Sequence, residues 1–464
     1  MARKSQIPPE LEAEITPAVR AFLESLLKRI EDLEERLGQS PQNSSLPPGS
    51  LHPHAKPTAR SLKSKRKRGG QPGHPKHERA LIAVEECTEV VTLKPRKCRR
   101  CRLRLRGDDL QPLRHQVCEL PEIKPLVTEY QLHRLTCEGC GESTCAALPP
   151  GVPSGQSGPR LVAFSALLMA CFRQSKRRTA LFMTSILNMP YCPALAVKHQ
   201  KFATDALRPA YDELVAKLPA EPHLHGDESP TKEGPQKAWL WTFVARKFTV
   251  FALSGSRAAT TLTQLLGERF AGVMICDRAK MYWQCGRLQW CWAHLKRDFQ
   301  ALVDHSDPQV KRLGRDLMRP TAELFRQWSR CRDGTLNRAE LKQELAPIRQ
   351  KVEGLLLRGE FSGNPRLIGM CRELHDHRDW LWTFLDVDGV EPTNNAAERS
   401  LRHAVIWRKT SFGTQSPAGS RFVETLLTVI ETCRQQKRDV YAYLTSAVEA
   451  QLQGQTGPSL RPVA

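Results

Sequence analysis

Gly272-Val273-Met274-Ile275-Cys276-Asp277 reads as a short, buried β-strand that ends on an acid. Such a run is apolar on both faces, as strands covered by helices are. A carboxylate there costs free energy unless it sits at a sheet edge or meets a cation. The ends of strands in open α/β sheets are also where ligand-binding groups collect. Upstream, His223-Leu224-His225-Gly226-Asp227-Glu228 leads into two β-rich runs, Ala238 to Val244 and Phe248 to Leu253. A helix-like stretch from Ala258 to Phe270 then precedes the buried strand.

A third acid comes late. Glu391-Pro392-Thr393-Asn394-Asn395-Ala396-Ala397-Glu398-Arg399 reads as a helix start, capped by Thr393, Asn394 or Asn395, with Glu398 in the first turn or two. Arg399, Arg402, Arg408 and Lys409 follow, as expected of a helix lying against DNA. Singly, each acid is more often a cap or a surface charge than a catalyst. Phosphodiester chemistry, however, uses two divalent ions about 4 Å apart, and Mg2+ prefers oxygen ligands. Asp227, Asp277 and Glu398 would serve if they converge, which the sequence leaves open.

The composition suits a soluble, multidomain protein of 464 residues, 40% hydrophobic and 26% charged. Its 70 Lys and Arg against 49 Asp and Glu give a net charge of +21. That excess favours a polyanion, and nucleic acid rather than an anionic membrane, since no anchoring signal accompanies it. The most apolar run, Leu161 to Phe172, is far short of the roughly 20 residues a bilayer needs. No export signal is visible, so the fifteen cysteines are expected to be reduced thiols in the cytoplasm.

Towards the N-terminus, Val19, Leu23, Leu26, Ile30, Leu33 and Leu37 alternate spacings of four and three, a heptad seam suited to self-association or to packing on its own chain. Residues 39–60 read as a linker. A basic arm follows, with Arg60, Lys63, Lys65, Arg66, Lys67 and Arg68 before Gly69-Gly70-Gln71-Pro72-Gly73-His74; solvated charge is the bland alternative to DNA contact. Next come two C-x2-C pairs, Cys98/Cys101 and Cys137/Cys140. Four paired thiolates suit a closed structural Zn2+ site better than redox chemistry, although the gap between the pairs is long. Beyond the Pro- and Gly-rich boundary at 149–159, Leu161 to Phe172, Leu181 to Leu187 and Leu195 to Leu207 read as helices, with Lys176-Arg177-Arg178 as a break. A helix-turn-helix around Asn188-Met189-Pro190 and a plain helical layer fit equally.

The order of these parts resembles transposases of the insertion-sequence-66 family. The most specific segments are His225-Gly226-Asp227-Glu228-Ser229, Cys291-Trp292-Ala293-His294-Leu295-Lys296-Arg297-Asp298-Phe299 and Pro392-Thr393-Asn394-Asn395-Ala396-Ala397-Glu398-Arg399. Ser229 stands where Thr is commoner in the family, and Arg278 where Gly is frequent. The resemblance implies a multidomain α+β protein whose ribonuclease-H-like α/β catalytic core is interrupted by a helical insertion. It implies an Asp-Asp-Glu triad of Asp227, Asp277 and Glu398, binding two Mg2+ (or Mn2+) ions. The implied reaction is cleavage at transposon ends and strand transfer into target DNA. A nuclease or resolvase that cuts without joining is one alternative; a catalytically silent DNA-binding regulator is the other.

The expected domains are a coiled-coil helix (1–38), a linker with the basic DNA-binding arm (39–80), a zinc-ribbon-like module (81–148) and a helical DNA-binding or connecting region (160–215). The core follows in two parts (216–304 and 386–452) around the insertion (305–385), with a disordered tail (453–464). DNA contacts are expected from Lys63, Lys65, Arg66, Lys67, Arg68, Arg399 and Arg402. The expected partners are double-stranded DNA, a second copy in a homodimer or higher oligomer, and accessory proteins of the same element, with no membrane. The expected location is the bacterial nucleoid in the cytoplasm.

Glu228, beside Asp227, should point to the opposite face of its strand and form a cap or salt bridge. Asp298 lies on a helix able to line the site and ranks below Glu398. His294 and Trp292 suit DNA contact or packing equally, and Trp239, Trp241, Trp290 and Trp380 suit the core.

Overall fold

Five strands form the central sheet: β3 (His223–Glu233), β4 (Gln236–Val244), β5 (Thr249–Ser254), β6 (Val273–Cys276) and β7 (Leu288–Trp290). Their spatial order is β5-β4-β3-β6-β7. β3, β4 and β5 are an antiparallel meander, while β6 and β7 run parallel to β3. Helix α5 (Ala259–Leu266) makes the crossover to β6. This computed structural model describes residues 16–40, 43–44, 73 and 79–462. The basic tract Lys63, Lys65, Arg66, Lys67 and Arg68 lies outside the described residues.

The fold is mixed α+β, and both sheet edges are covered. At one edge, α12 (Pro417–Gln435) lies along β5. Its Thr432, Thr428 and Glu424 side chains accept from the Thr249, Phe251 and Leu253 amides at 3.2, 2.9 and 3.0 Å. Four helical residues rise about 6 Å and two strand residues about 6.7 Å, so side chains at i, i+4 and i+8 keep step with alternate amides. The edge that would otherwise template another strand is thereby satisfied. At the other edge Thr383 Oγ1 donates to the Leu288 carbonyl (2.6 Å), and the Phe384 amide donates to Gln289 Oε1 (2.8 Å).

Between the sheet and its last helices lies a run of helices: α6 (Trp292–Asp304), α7 (Pro308–Arg332), α8 (Arg338–Glu360), α9 (Pro365–Asp376) and the short α10 (Thr383–Asp386). Each of α6 to α8 packs on the next. The chain then returns through α11 (Asn395–Ser411), which covers β3 and β4. A helical layer contains α2 (Pro159–Ala170), α3 (Lys176–Ser185), α4 (Pro193–Val215) and α13 (Val440–Leu452). Lys176, Arg177 and Arg178 are the first turn of α3 rather than a break, because Ser175 caps that helix through the Arg178 amide. None of the described helices is long and apolar enough to cross a membrane.

The expectation of a disordered tail from 453 is corrected for its described residues. Leu460 is fully buried, Tyr443 donates to the Pro458 carbonyl at 2.6 Å, and Ser459 and Arg461 both bind Glu213. One buried leucine and these bonds tie down a segment without regular structure.

The N-terminal helix α1 (Pro17–Gly38) leaves the seam residues Val19, Leu26, Ile30 and Leu33 exposed. By contact density the chain divides into two units, 53–124 and the remainder. The boundary falls within the expected 81–148 module, so Cys98 and Cys101 belong to one unit and Cys137 and Cys140 to the other. Described residues of 81–148 include no buried side chain. In the first unit the Cys98 turn is closed by the Arg102 amide donating to the Cys98 carbonyl. In the second, β1 (Arg134–Thr136) and β2 (Ser143–Cys145) flank the equivalent Cys137 turn, closed by the Gly141 amide.

Candidate active site

The two aspartates are set by strand register. β3 pairs with β6 so that His225 faces Ile275. Asp227 is two residues further on, and so is Asp277, just past the end of β6. Alternation then puts His225, Asp227 and Ser229 on one face of β3 and Gly226 and Glu228 on the other. The first face is the one that α11 covers: His225 and Ser229 both bond to it or to its cap.

Glu398 reaches the site from the first turn of α11, whose N-cap is Asn394. The Asn394 side chain does not cap the helix. Its Nδ2 donates to the Gly226 carbonyl at 2.7 Å, its Oδ1 lies 3.3 Å from His225 Nδ1, and its backbone amide donates to Cys291 Sγ at 3.2 Å. The Trp292 amide donates to the Pro392 carbonyl at 2.9 Å. One fully buried asparagine therefore fixes the starts of α6 and α11 against the strand that carries Asp227. Asn394 was a candidate only as a cap, because a tertiary hydrogen bond leaves no periodic trace.

The electrostatics bring the three acids together. Burial pushes Asp227 well above the usual carboxylate range, and the charges of Glu228, Asp277 and Glu398 push it further; the Glu228 amide, donating at 2.9 Å, opposes this. Asp277 Oδ1 accepts from the Ala279 amide at 2.8 Å. Glu398 Oε1 is buried without a hydrogen-bond partner, 3.6 Å from His294 Nε2 and 3.7 Å from the Arg297 guanidinium. Like charges within reach of one another repel, and Asp227 carries that repulsion in its raised pKa.

The substitutes are occupied. Glu228 accepts from Arg257 Nε at 2.8 Å and from the Tyr282 hydroxyl at 2.6 Å, on the opposite face from Asp227. Gly226 makes room for this, since a Cβ there would stand 2.7 Å from Met274 Sδ and 3.1 Å from the Tyr282 ring. Asp298 is bound to Arg278 at 2.9 Å, and Arg278 also holds Glu373 of α9 at 3.1 Å.

Trp292 packs: it is fully buried, and its indole donates to the Leu381 carbonyl at 2.7 Å. Trp241 and Trp290 are also fully buried. His294 lines the site, and burial with Arg297 and Arg278 nearby pushes its pKa down to about 3, so it is neutral. Arg399 and Arg402 are exposed on α11. Arg408 is not free for DNA: it donates to Ser229 Oγ at 2.9 Å and to the Pro230 carbonyl, bracing α11 on β3. Cys291 was quoted only within a motif; its C-x2-H spacing to His294 is the signal that marks it.

Comparison with known proteins adds the following. A family model described as "Transposase IS66 family" matches residues 154–421, more than half of the chain. A second, described as a family of unknown function, matches residues 2–80. Among curated proteins of Sinorhizobium fredii (strain NBRC 101917 / NGR234), the chain is 26% identical to uncharacterized protein y4qI over 245 residues, 47% of this chain and 44% of that protein. It is 24% identical to uncharacterized protein y4jD over 281 residues, 54% of each, and 24% identical to uncharacterized protein y4hP over 406 residues, 78% of this chain and 72% of that protein. The chain thus spans about half the length of the first two.

Proposed function

We propose, from the premise that this chain belongs to the IS66 transposase family, that it cuts DNA at transposon ends and joins the freed 3′-hydroxyl to target DNA. The observation that carries the reading is that buried Asp227 stands level with Asp277 on the neighbouring strand and feels the charges of Asp277 and Glu398. The meander with two parallel strands, in the order β5-β4-β3-β6-β7, supports a ribonuclease-H-like core. α7 to α10 would be its insertion.

The three carboxylates fit two divalent ions of the Mg2+ or Mn2+ type, on the grounds of their donor chemistry, the raised Asp227 and the orphaned Glu398 Oε1. Such ions would activate the attacking oxygen and stabilise the leaving one. The chain's part is positional. Asp227 feels the charges of both other acids, so it would serve both ions, with Asp277 and Glu398 holding one each. Asn394 keeps α11, and so Glu398, seated on β3. Arg399 and Arg402, exposed on the same helix, would contact the DNA backbone together with the arm at Lys63–Arg68.

The Cys98/Cys101 turn and the Cys137/Cys140 turn each offer a pair of thiolates of the kind that structural Zn2+ takes. The backbone amides of Cys101 and Arg100 lower the Cys98 thiol, and those of Cys140 and Gly139 lower the Cys137 thiol. A stretch that buries no side chain has little else to hold it. The exposed seam of α1 supports self-association on DNA.

Mg2+-dependent incubation with DNA carrying the element's own ends tests the reading. Joined products support the transposase. Cutting without joining would instead mark a nuclease, and binding without either a regulator.

A further inference from the structure

Next to the proposed DNA-cutting centre lies a cluster that the three carboxylates do not account for. Cys291 is the N-cap of α6, His294 lies in its first turn, and Glu398 approaches from α11. One donor atom of each lies within 4.8 Å of the other two.

Thiolate, imidazole and carboxylate together suit Zn2+ and its neighbours, whereas Mg2+ selects oxygens. His294 Nε2 and Glu398 Oε1, 3.6 Å apart, are too far for a hydrogen bond. They are close to the roughly 3.4 Å between two ligands held about 2.0–2.1 Å from one tetrahedral ion. Glu398 Oε1 and His294 Nδ1 are both buried without a hydrogen-bond partner, an expense that a bound cation would offset for the carboxylate. Arg297, 3.7 Å from Glu398 Oε1, competes for the carboxylate but makes no hydrogen bond to it. Burial pushes the Cys291 thiol up to about 11, so an arriving ion must displace its proton; the Asn394 amide at 3.2 Å and the helix N-terminus offset part of that cost. His294 is already neutral, the form that ligates.

We propose that Cys291, His294 and Glu398 form a three-ligand site for a transition ion of the Zn2+ class. Three protein ligands leave a position for solvent, as in reactive rather than closed zinc sites. Glu398 is shared with the proposed Mg2+ centre. On that reading of the centre, filling the new site withdraws the carboxylate from Asp227 and Asp277, so a Zn2+-class ion acts as an inhibitor of cutting.

The test is Co2+ binding by the full chain, first loaded with Zn2+ to occupy the Cys98/Cys101 and Cys137/Cys140 pairs and then dialysed against a weak chelator to empty the three-ligand site. The sulfur-to-cobalt charge-transfer band is recorded without DNA. A saturable band is expected, retained in Cys98→Ser, lost in Cys291→Ser, and requiring at least about tenfold more Co2+ in His294→Ala. No band in the unsubstituted chain, or an undiminished band in Cys291→Ser, overturns the site. If Cys291→Ser fails to fold, Glu398→Gln, of nearly the same shape, decides: affinity at least about tenfold weaker supports the site and unchanged affinity overturns it. Because the readout is binding, its failure leaves the transposase reading standing, and failure to join DNA leaves this site standing.

Discussion

Asp227 and Asp277 stand level on neighbouring parallel strands, each two residues beyond the paired His225 and Ile275. That register sets Asp277 beside Asp227, and α11, laid across the same face of β3, places Glu398 within electrostatic reach of Asp227. The arrangement stores repulsion: Asp227 is buried among like charges with one amide to offset them.

The repulsion should be visible as pH-dependent stability. The folded-state pKa of Asp227 is raised, so the native state binds its proton more tightly than the unfolded chain does. Stability contributed by this group therefore rises as pH falls from neutrality through the raised pKa, and is lost again on going back up. Asp227→Asn removes the repulsion, so without divalent metal at neutral pH its Tm should exceed that of the unsubstituted chain by a few degrees. An equal or lower Tm, measured calorimetrically, would count against the charge cluster.

Asn394→Ala leaves the Gly226 carbonyl and the His225 ring without their partner in a buried place. A stability loss of about 1–3 kcal/mol is expected in urea unfolding, together with weaker divalent-ion binding as Glu398 loses its anchor. Normal ion binding in a destabilised variant would reduce Asn394 to a structural residue.

Arginines on α11 should separate into two kinds. Arg402→Ala, on the exposed face, should weaken DNA binding uniformly across sequences and lower the salt slope by about 1. Arg408→Ala should leave the salt slope alone and lower stability, since its guanidinium is spent on Ser229 and Pro230. Binding isotherms at several salt concentrations distinguish them.

The strands were legible in the sequence because their composition is strongly one-sided. The runs at Ala238, Phe248 and Val273 are β-branched, aromatic and bounded by turns, and each falls on a strand. Glu228's opposite facing followed from alternation alone. What the sequence did not carry was tertiary. The seating of Asn394 on β3, the Thr and Glu ladder of α12 along β5, and the docking of Leu460 all depend on partners far away in the chain. The basic trio at 176–178 misled because charge resembles a break, whereas the Ser175 cap makes it a helix start. Asp277 announced itself as an acid at a strand end; Glu398 rested on the resemblance, since a first-turn glutamate is ordinarily only a favourable dipole contact.

Zinc removal should loosen 81–148. A strong chelator should increase protease cutting within this stretch, where no described side chain is buried, and leave the sheet resistant. Uniform protection before and after chelation would argue against metal in the knuckles.

Mg2+-dependent strand transfer by the unsubstituted chain and by Asp227→Asn, Asp277→Asn and Glu398→Gln, each first shown to be folded, tests the site most directly. Each substitution is expected to lower the joining rate by at least about 10²-fold while leaving DNA binding within a fewfold. Asp298→Asn, whose carboxylate is held by Arg278, is expected to join within about tenfold of the unsubstituted chain. Undiminished metal-dependent joining by Asp227→Asn would contradict the assignment of the site.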